Sequence, residues 1–516
     1  MVTLRAMGER AILAEVTDLS SVLSLHAALA ADPPPGVDEL VPAARTALVA
    51  FDPSRLSAPA VRAWIRAAGS ATARAAAPGP LVQIPARYDG ADLTDTAQLL
   101  GLTVAQLVAR HAAAEWTVAF TGFAPGFAYL VSPDWRFDVP RLAAPRTRVP
   151  AGAVGVAGEF TGAYPRETPG GWRLLATTDV RLFDPDAARP ALLPPRARVR
   201  FVPSRALAAA ASPPPVSRDA SGAREERVDA VPPASLRILA PGASATIQDV
   251  GRAHRAALGV ARSGALDRGA LRVANRLVGN AESAAGVEVV LGGLRVRAER
   301  DTWVAVTGAL ADLRIDGVPV PAYAPVRLAA GAELEIGVAR AGVRLYLGAR
   351  GGVLSSRVLG SAASDSLAGL GRAPLAAGDL LSLGRPAGAV PVIDAFPWTV
   401  PAARVDVPVG EGPRADWFAP SAWSTLTRAS WTVSSRADRV GIRLDGPVLD
   451  RLRHHELPSE AMRPGAIQVP PHGRPVVLLA DGPVTGGYPV IGVVPDAALD
   501  ALAQVRPGDL VRFRGR

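Results

Sequence analysis

Apolar and polar positions alternate over short stretches along most of the chain, and helical spacing is confined to a few segments. Near the N-terminus, residues 11–16 and 46–53 have the pattern of strands, whereas residues 20–30 and 61–68 have the spacing of amphipathic helices. A serine at the start of the first helix is its predicted cap. We therefore predict a small α+β unit over residues 1–78.

From residue 79 onward the apolar runs become shorter and are bounded by Gly and Pro, which predicts a β-barrel over residues 79–208. A Gly-centred turn that feeds an alternating strand occurs three times later in the chain, at 330–336, 377–381 and 507–511. This repetition favours two β-barrel subdomains within residues 235–516, together with one helix at 266–277. The predicted fold class is mostly β, with an α+β unit at the N-terminus.

Residues 209–234 separate these two parts of the chain. They contain three consecutive prolines at 213–215, followed by Ser, Asp, Gly, Arg and Glu, with few large apolar residues and no periodicity. Such a composition is typical of a partly extended linker. The sequence therefore predicts two halves joined by a linker.

The amino-acid composition excludes several kinds of catalytic and cofactor chemistry, whereas it says less about the fold. The 516 residues include no cysteine, which excludes disulfides, thiol nucleophiles and thiolate metal ligands. All 56 basic residues are arginine, so a Walker-A phosphate loop, a pyridoxal-phosphate Schiff base and a covalently attached biotin all lack their lysine. Any phosphate must therefore be held by arginines, backbone N–H groups or a metal ion.

The net charge of +9 does not indicate a nucleic-acid partner. Arginines and acids are interspersed, and no basic run is interleaved with aromatic residues. No stretch of eighteen apolar residues is free of charge and proline, and residues 1–5 lack the apolar core of a signal peptide. We expect a cytoplasmic protein with no membrane partner, and homo-oligomerisation stays open.

Glycine- and proline-rich strings mark the first half. Residues 120–130 carry two glycines beside proline and aromatics, which suits a rigid loop whose backbone approaches a ligand or another chain; a packed barrel corner is the alternative. Arginines between prolines at 145–150 suit an anion site or a barrel rim. The candidate binding residues in these strings are Phe123, Pro125, Gly126, Arg146, Arg148 and Tyr164.

Polar residues among apolar neighbours mark the second half. Ser263 precedes the predicted helix, where its hydroxyl and free N–H groups suit an anion; a simple helix cap is the alternative. Strand alternation predicts Arg439 and Arg443 on one face. The candidate binding residues are Arg252, Ser263, Asp267, Asn275, Glu288, Arg443, Thr485, Gly486 and Tyr488, and the candidate catalytic residues are Arg439, Gln468 and Asp481.

Histidines are few, and His111 is the best general acid or base candidate in the first half. A hydrogen-bonded structural histidine is the alternative. His454, His455 and Glu456 are consecutive, but adjacent side chains diverge and no third ligand is apparent. Metal ligands are therefore left unassigned.

Two sets of motifs, in order, resemble known families. The first half carries Arg-Tyr-Asp-Gly-Ala-Asp-Leu at 87–93 and Gly-Phe-Ala-Pro-Gly-Phe-Ala-Tyr-Leu at 122–130, and it resembles the B component of 5-oxoprolinase, also called KipI. The second half carries Ser-Gly-Ala-Leu-Asp at 263–267 and Thr-Gly-Gly-Tyr-Pro at 485–489, and it resembles the C component of the same enzyme, also called KipA. The resemblance implies cyclophilin-like β-barrels in both halves.

The resemblance also implies an activity: the ATP-dependent conversion of 5-oxoproline to glutamate, with ATP and Mg²⁺, together with a LamB/YcsF-like A component of 5-oxoprolinase. Three alternatives stay open. The same tandem forms the carboxyltransferase region of urea carboxylase, the KipI and KipA names imply a regulator of a histidine kinase, and the substrate can be another small amide.

Three positions depart from the pattern of the resembling families. Phe160 replaces the usual Gln, Ala176 and Thr177 replace Gly-Arg, and Gly482 and Pro483 replace a polar pair. If the usual Gln or Arg binds substrate or phosphate, these departures abolish or redirect the activity.

Overall fold

The N-terminal unit is the first of the structured parts in this computed structural model, which describes residues 2–70, 79–204, 235–393 and 396–516. The predicted linker at 209–234 lies outside these residues. The elements of the first unit are β1 (Thr3–Ala6), β2 (Ala11–Glu15), α1 (Leu19–Ala31), β3 (Val37–Pro42), β4 (Thr46–Phe51) and α2 (Ala58–Ser70). Its antiparallel sheet has the order β1-β2-β4-β3, and both helices pack on it.

Helix α1 illustrates why this unit folds as the sequence predicts. Val22, Leu25 and Leu29 lie at helical spacing and are buried against the sheet. The predicted serine cap is wrong: the Asp18 carboxylate accepts a hydrogen bond from the backbone N–H of Ser21 at 2.8 Å. Aspartate satisfies one of the free N–H groups of the first turn as well as serine does.

The rest of the first half forms a nearly closed barrel. Its elements are β5 (Leu81–Ala86), α3 (Leu93–Leu99), α4 (Val104–Ala113), β6 (Trp116–Thr121), β7 (Ala128–Val131), β8 (Arg146–Val149), β9 (Ala153–Ala157), β10 (Phe160–Ala163), β11 (Thr168–Gly170), β12 (Arg173–Thr177) and β13 (Arg198–Pro203). Seven strands have the order β12-β9-β10-β7-β6-β13-β5, and β8 pairs with β11 separately. A bridge between Arg87 and Thr177 brings the two ends of the sheet together.

The second half begins with two sheets that share one apolar core. Its elements are β14 (Ser235–Pro241), β15 (Ser244–Gln248), α5 (Arg268–Leu277), β16 (Gly286–Val290), β17 (Leu294–Ala298), β18 (Thr302–Leu310), β19 (Leu313–Ile315), β20 (Val318–Val320), β21 (Val326–Leu328), β22 (Glu333–Ile336), β23 (Ala341–Ala349) and β24 (Leu380–Ser382). The orders are β20-β19-β22-β17-β14-β24 and β15-β16-β23-β18-β21. Helix α5 packs on β18 and β23.

The last part of the chain is a closed barrel. Its elements are β25 (Arg404–Glu411), α6 (Pro420–Arg428), β26 (Trp431–Val433), β27 (Gly441–Asp445), β28 (Glu460–Ala461), β29 (Ala466–Gln468), β30 (Val476–Leu478), β31 (Thr485–Gly486), β32 (Val490–Val493), α7 (Asp496–Leu502) and β33 (Leu510–Gly515). The barrel order is β25-β32-β29-β30-β27-β26-β33. Each half therefore contains a closed or nearly closed barrel, which confirms the predicted mostly-β fold class. No helix among the described residues has the length and apolarity to cross a membrane.

A buried ion cluster joins the two halves. The guanidinium of Arg414 in the second half contacts Glu460 there, with Nε to Oε1 at 3.0 Å. It also contacts Glu15 on β2, with distances of 3.0 and 2.9 Å. Arg414 and Glu460 are both almost fully buried, and a buried charge without a partner of opposite charge would destabilise the fold. Each side chain therefore compensates the charge of the other. The first and second halves are thus fixed to each other by charge as well as by packing.

Candidate functional site

The glycine-rich loop at 121–127 lies where the two halves meet. The backbone N–H of Phe123 donates to Thr485 Oγ1 at 2.9 Å, and the N–H of Gly126 donates to the carbonyl of Leu258 at 3.1 Å. The hydroxyl of Thr121 donates to the carbonyl of Ala257. The loop predicted to approach a ligand or another chain therefore approaches the backbone of the second half.

Small residues make this approach sterically feasible. A Cβ on Gly122 would overlap the side chain of Thr485. Gly259 has a φ of +76°, and a Cβ there would come within 2.5 Å of the carbonyl oxygen of Ala124. Only glycine tolerates both the left-handed backbone and the close contact at that position.

Beside this contact lies a small cavity of about 120 Å³. Strands of the first barrel supply an aromatic wall, and the segments around Ser459 and Thr485 supply the opposite wall. Its lining residues are Phe123, Phe127, Tyr129, Arg141, Tyr164, Gly170, Gly171, Trp172, Ser459, Thr485, Gly486 and Gly487. We call this cavity the aromatic pocket. It unites four of the predicted residues, Phe123, Tyr164, Thr485 and Gly486.

The polar groups of the aromatic pocket are hydroxyls and one guanidinium. Burial raises the pKa of Tyr129 and of Tyr164, so both phenols keep their protons at neutral pH. Arg141 is the single cation of the lining, and its nearest carboxylate is that of the exposed Glu456, at 3.6 Å. The pocket therefore offers aromatic faces, hydroxyl donors and a weakly paired positive charge, which suits a small polar molecule with an anionic group.

Gln468 lies directly behind the pocket. Its Nε2 donates to the carbonyl of Tyr488 at 3.4 Å, and a Cβ on Gly486 would come within 2.8 Å of the same atom. Gln468 therefore supports the pocket wall at Gly486. Tyr488 itself is 46% exposed and is absent from the lining.

Four other predicted residues form one buried network. Arg439 donates from Nε to Asp481 Oδ2 at 2.9 Å and from Nη1 to Glu288 Oε1 at 2.6 Å. Asp481 also accepts from the Ser263 hydroxyl at 2.7 Å. Burial alone would raise the pKa of Asp481, but the charge and hydrogen bonds of Arg439 hold it below its ordinary value. The network joins the closed barrel to the start of α5.

This network constrains the catalytic roles predicted for Arg439 and Asp481. All three nitrogens of the Arg439 guanidinium are used within the protein, since Nη2 also donates to the carbonyl of Gly264 at 2.6 Å. Asp481 lies in the turn between β30 and β31, and β31 begins at Thr485. We therefore interpret both as positioning residues for the segment that forms one pocket wall.

The predicted common face of Arg439 and Arg443 is wrong. Arg439 precedes β27, in the turn before Gly441, whereas Arg443 lies within β27 and is exposed. Arg443 donates to the carbonyl of Arg436 at 2.7 Å. The strand begins too late for alternation to bring the two guanidinium groups together.

Other predicted residues have structural partners outside the pocket. Asp267 caps α5 by accepting from Ala270, and burial, aided by Asp500, raises its pKa to about 7. Asn275 donates to the carbonyl of Ala284 at 2.8 Å. The buried Arg252 donates to the carbonyl of Val358 at 3.1 Å.

The two predicted arginines of the first barrel also have protein partners. Arg146 makes a two-point pair with Asp92, at 2.9 and 2.6 Å, and the exposed Arg148 pairs with Glu167 at 2.7 Å. Pro125 belongs to the loop that contacts the second half. None of these three residues lines the aromatic pocket.

His111 lies in the core of the first barrel. Its Nδ1 is 2.8 Å from the Tyr88 hydroxyl and its Nε2 is 2.9 Å from Thr161 Oγ1. The Thr161 hydroxyl donates to the carbonyl of Gly155, so its oxygen accepts the proton on Nε2. Burial lowers the pKa of His111 to about 3. This geometry favours the structural histidine over the acid or base.

The residues that depart from the pattern of the resembling families do not line the aromatic pocket. Phe160 packs edge-on against Tyr129, with ring centroids 5.7 Å apart. Thr177 donates to Asp89 at 2.8 Å on the barrel surface. Gly482 and Pro483 line a second, larger cavity on the other side of the Thr485 segment.

Sequence reasoning missed three polar residues of the pocket, Tyr129, Arg141 and Ser459. Tyr129 lies within the glycine-rich string at 120–130, whereas Arg141 and Ser459 belong to no such string and come from different halves of the chain. The one signal in the sequence for Arg141 is the proline that precedes it. A proline before an arginine is also common in surface turns, so it does not by itself indicate a binding residue. Across the described residues, no group of three or more His, Asp or Glu side chains is placed to hold a metal ion.

Comparisons with known families agree with this two-part architecture. Residues 258–515 match the carboxyltransferase domain, subdomain A and B, and residues 2–193 match the carboxyltransferase domain, subdomain C and D. The C component of Haemophilus influenzae 5-oxoprolinase is 37% identical over 283 residues, which are 54% of this chain and 90% of that protein. The B component of the Escherichia coli O157:H7 enzyme is 47% identical over 127 residues, 24% of this chain and 58% of that protein.

A solved structure covers both halves together. The crystal structure of the protein TTHA0988 superposes with a TM-score of 0.84 at 36% sequence identity, and it covers 98% of this chain and 99% of its own. That protein therefore has both halves in a similar arrangement.

Replacing Gly122 tests the close contact between the halves. The added methyl group of Gly122→Ala would overlap Thr485, so we expect a loss of about 1–3 kcal/mol in the free energy of unfolding. Gly410→Ala is the control, because its added methyl group would lie in open space. Denaturant unfolding of both variants checks the difference, and equal stabilities would contradict the described contact.

Replacing His111 tests its buried neutral state. Because its pKa falls from 6.5 to about 3 on folding, its contribution to stability is present above pH 6.5 and is lost as the pH falls toward 3. The loss is about 1.4 kcal/mol per pH unit, or about 2 kcal/mol at about pH 5. His111→Gln, which cannot titrate, should remove this slope in unfolding measurements. If the free energy of unfolding depended equally on pH in both proteins, His111 would be able to take up a proton in the folded state, and its buried neutral state would be contradicted.

Proposed function

Because the chain belongs to the carboxyltransferase-domain family, with subdomains C and D in its first half and A and B in its second, we propose that it is the fused B and C component of a 5-oxoprolinase. The proposed reaction converts 5-oxoproline, ATP and water to glutamate, ADP and phosphate. The relatives named as the B and C components of 5-oxoprolinase match successive parts of the chain and support this proposal.

The observation that carries the proposal is the aromatic pocket between the halves. Its volume of about 120 Å³ is well below the range of roughly 300–1,000 Å³ typical of drug-sized ligands, so it suits a small ring such as a lactam. Since each half supplies one wall, the pocket exists only when the B-like and C-like parts are together. Fusion in one chain keeps the two parts at high effective concentration.

The pocket residues suggest how the substrate is held. The guanidinium of Arg141 would bind the carboxylate of 5-oxoproline, and the ring would lie against Trp172. The protonated hydroxyls of Tyr129 and Tyr164 would donate hydrogen bonds to the lactam carbonyl oxygen. These contacts would fix the carbonyl in one orientation and exclude bulk water from it.

The proposed chemistry activates an unreactive amide. Transfer of the terminal phosphoryl group of ATP to the carbonyl oxygen breaks a phosphoanhydride bond and forms a carbon–oxygen–phosphorus link. Water then adds to the activated carbon, the C–N bond breaks, and phosphate and glutamate leave. Mg²⁺ would accompany ATP through its phosphates, because the described residues offer no metal cage of their own.

We further propose that a LamB/YcsF-like protein, the A component of 5-oxoprolinase, completes the enzyme. The relatives' names describe parts of a larger enzyme, which supports an assembly of more than one polypeptide type.

A carboxyltransferase is the second candidate function. It is favoured by the family description that matches both halves. In that case the biotin must be carried by another protein, because this chain has no lysine to carry it. Capture of a biotinylated partner on the protein, with no glutamate formed, would favour this candidate.

Reconstitution tests the proposed function. The protein, a LamB/YcsF-like component, 5-oxoproline, ATP and Mg²⁺ should together produce glutamate and phosphate in equal amounts. Arg141→Gln should raise the KM for 5-oxoproline about tenfold or more, because a charge-assisted hydrogen bond is lost. Arg181→Gln is the control, since Arg181 is also exposed and pairs with one carboxylate, Asp184, at 3.0 Å.

Two results would reject this proposal. One is the absence of glutamate above the level given by either protein alone. The other is an unchanged KM in Arg141→Gln, which would remove the aromatic pocket from substrate binding.

A further inference from the structure

A second cavity, of about 330 Å³, lies on the opposite side of the Thr485 segment from the aromatic pocket. It is bounded by the N-terminal α+β unit, by the chain around residues 253–262 and by the closed barrel. Four arginines line it: Arg10, Arg262, Arg268 and Arg463. We call it the arginine cavity.

Two of these arginines have guanidinium groups that meet no carboxylate among the residues that the structure describes. Arg262 donates from Nε to the carbonyl of Val250 at 3.3 Å, and within the described ranges no carboxylate oxygen lies within 4 Å of the guanidinium of Arg262 or Arg268. Burial, and next the charge of Arg268, lowers the pKa of Arg262. Both guanidinium-bearing residues line one cavity, and two like charges that share a cavity without a paired counter-ion are unfavourable in the protein alone, so an anion would relieve their repulsion.

The acidic residues of the cavity attract the charge of Arg262 from a distance, but they make their close contacts with other groups. Asp496 accepts from Arg463 at 2.9 Å and lies 3.7 Å from Arg10, and Asp38 also lies 3.7 Å from Arg10. Glu39 accepts the backbone N–H of Arg255 at 3.1 Å. These carboxylates are therefore engaged elsewhere.

Asp500 is the acidic residue nearest to Arg268 outside the cavity lining. Its carboxylate accepts the backbone N–H groups of Arg268 and Gly269, at 3.0 and 3.1 Å, at the start of α5. The negative charge of that carboxylate lowers the electrostatic repulsion around Arg268. Its hydrogen bonds, however, come from backbone N–H groups and not from the guanidinium of Arg268. The guanidinium groups of Arg262 and Arg268 therefore keep donors for a ligand.

Apart from His254, the remainder of the wall is apolar. Leu48, Ala256, Met462, Leu478 and Val484 line it. The volume falls in the range of about 300–1,000 Å³ usual for small-molecule sites. An apolar wall beside unpaired guanidinium groups suits an organic molecule that carries phosphate, since guanidinium binds phosphate oxygens through paired N–H donors.

We propose that the arginine cavity binds a phosphate-bearing small molecule, with Arg262 and Arg268 contacting its phosphate oxygens and the apolar wall contacting its organic part. In a chain without lysine, these two side chains take the role that lysine has in many phosphate sites. Phosphate binding here does not depend on 5-oxoproline turnover, so it can be measured on the protein alone.

Calorimetric titration of the full chain with inorganic phosphate, ADP and ATP tests this site. We expect ADP and ATP to bind, and Arg262→Gln or Arg268→Gln to weaken each about tenfold or more. Arg314→Gln is the matched control, because Arg314 likewise makes only a hydrogen bond to a backbone carbonyl, that of Gly317 at 2.9 Å. Thermal unfolding of each variant verifies that it is folded, and removing an unpaired charge should not destabilise it.

The outcomes separate the sources of phosphate. Tighter binding of ADP and ATP than of inorganic phosphate identifies a nucleotide, and equal binding of all three identifies free phosphate as the recognised group. No binding by the unaltered protein, or equal binding by Arg262→Gln and Arg314→Gln, would overturn the proposed site. Intact nucleotide binding without glutamate formation would count against the proposed 5-oxoprolinase activity alone.

Discussion

The close approach of two backbones is the constraint on which the rest of the structure depends. The loop at 121–127 can meet Thr485 and the turn at 257–259 only because Gly122 and Gly259 lack side chains. That contact brings the aromatic wall of one barrel to the Thr485 segment of the other. The aromatic pocket and the arginine cavity lie on opposite sides of this segment, so both depend on its position.

Buried charge fixes that segment from behind. Asp481 begins the turn that leads to Thr485, and Arg439 holds it against Glu288 on β16. The contact between the halves has its own ion cluster, in which Arg414 joins Glu15 and Glu460. Because buried charges need partners, both clusters favour one arrangement of the parts. Arginine is the cation in each, as it must be in a chain without lysine.

Patterning predicted the α+β unit, helix α5 and the mostly-β character of the chain, since these follow from local spacing of apolar residues. The glycine-rich strings contain Phe123, Tyr164, Thr485 and Gly486, which the structure places in one pocket, because the glycines of those strings permit the close approach of the two backbones. Arg141 and Ser459 were missed since each meets the pocket only through folding of distant segments. His111, a predicted catalytic residue, lies in the barrel core. The sequence could not show this, because periodicity does not distinguish a buried histidine with polar partners from an accessible one.

The central claim is that the two halves together form one pocket for a small amide. Crystals of the intact protein grown with 5-oxoproline test it most directly. The account predicts density for the ring between Trp172 and Thr485, with its carboxylate toward Arg141. Density for 5-oxoproline only in the arginine cavity, or on the surface of one half alone, would contradict it.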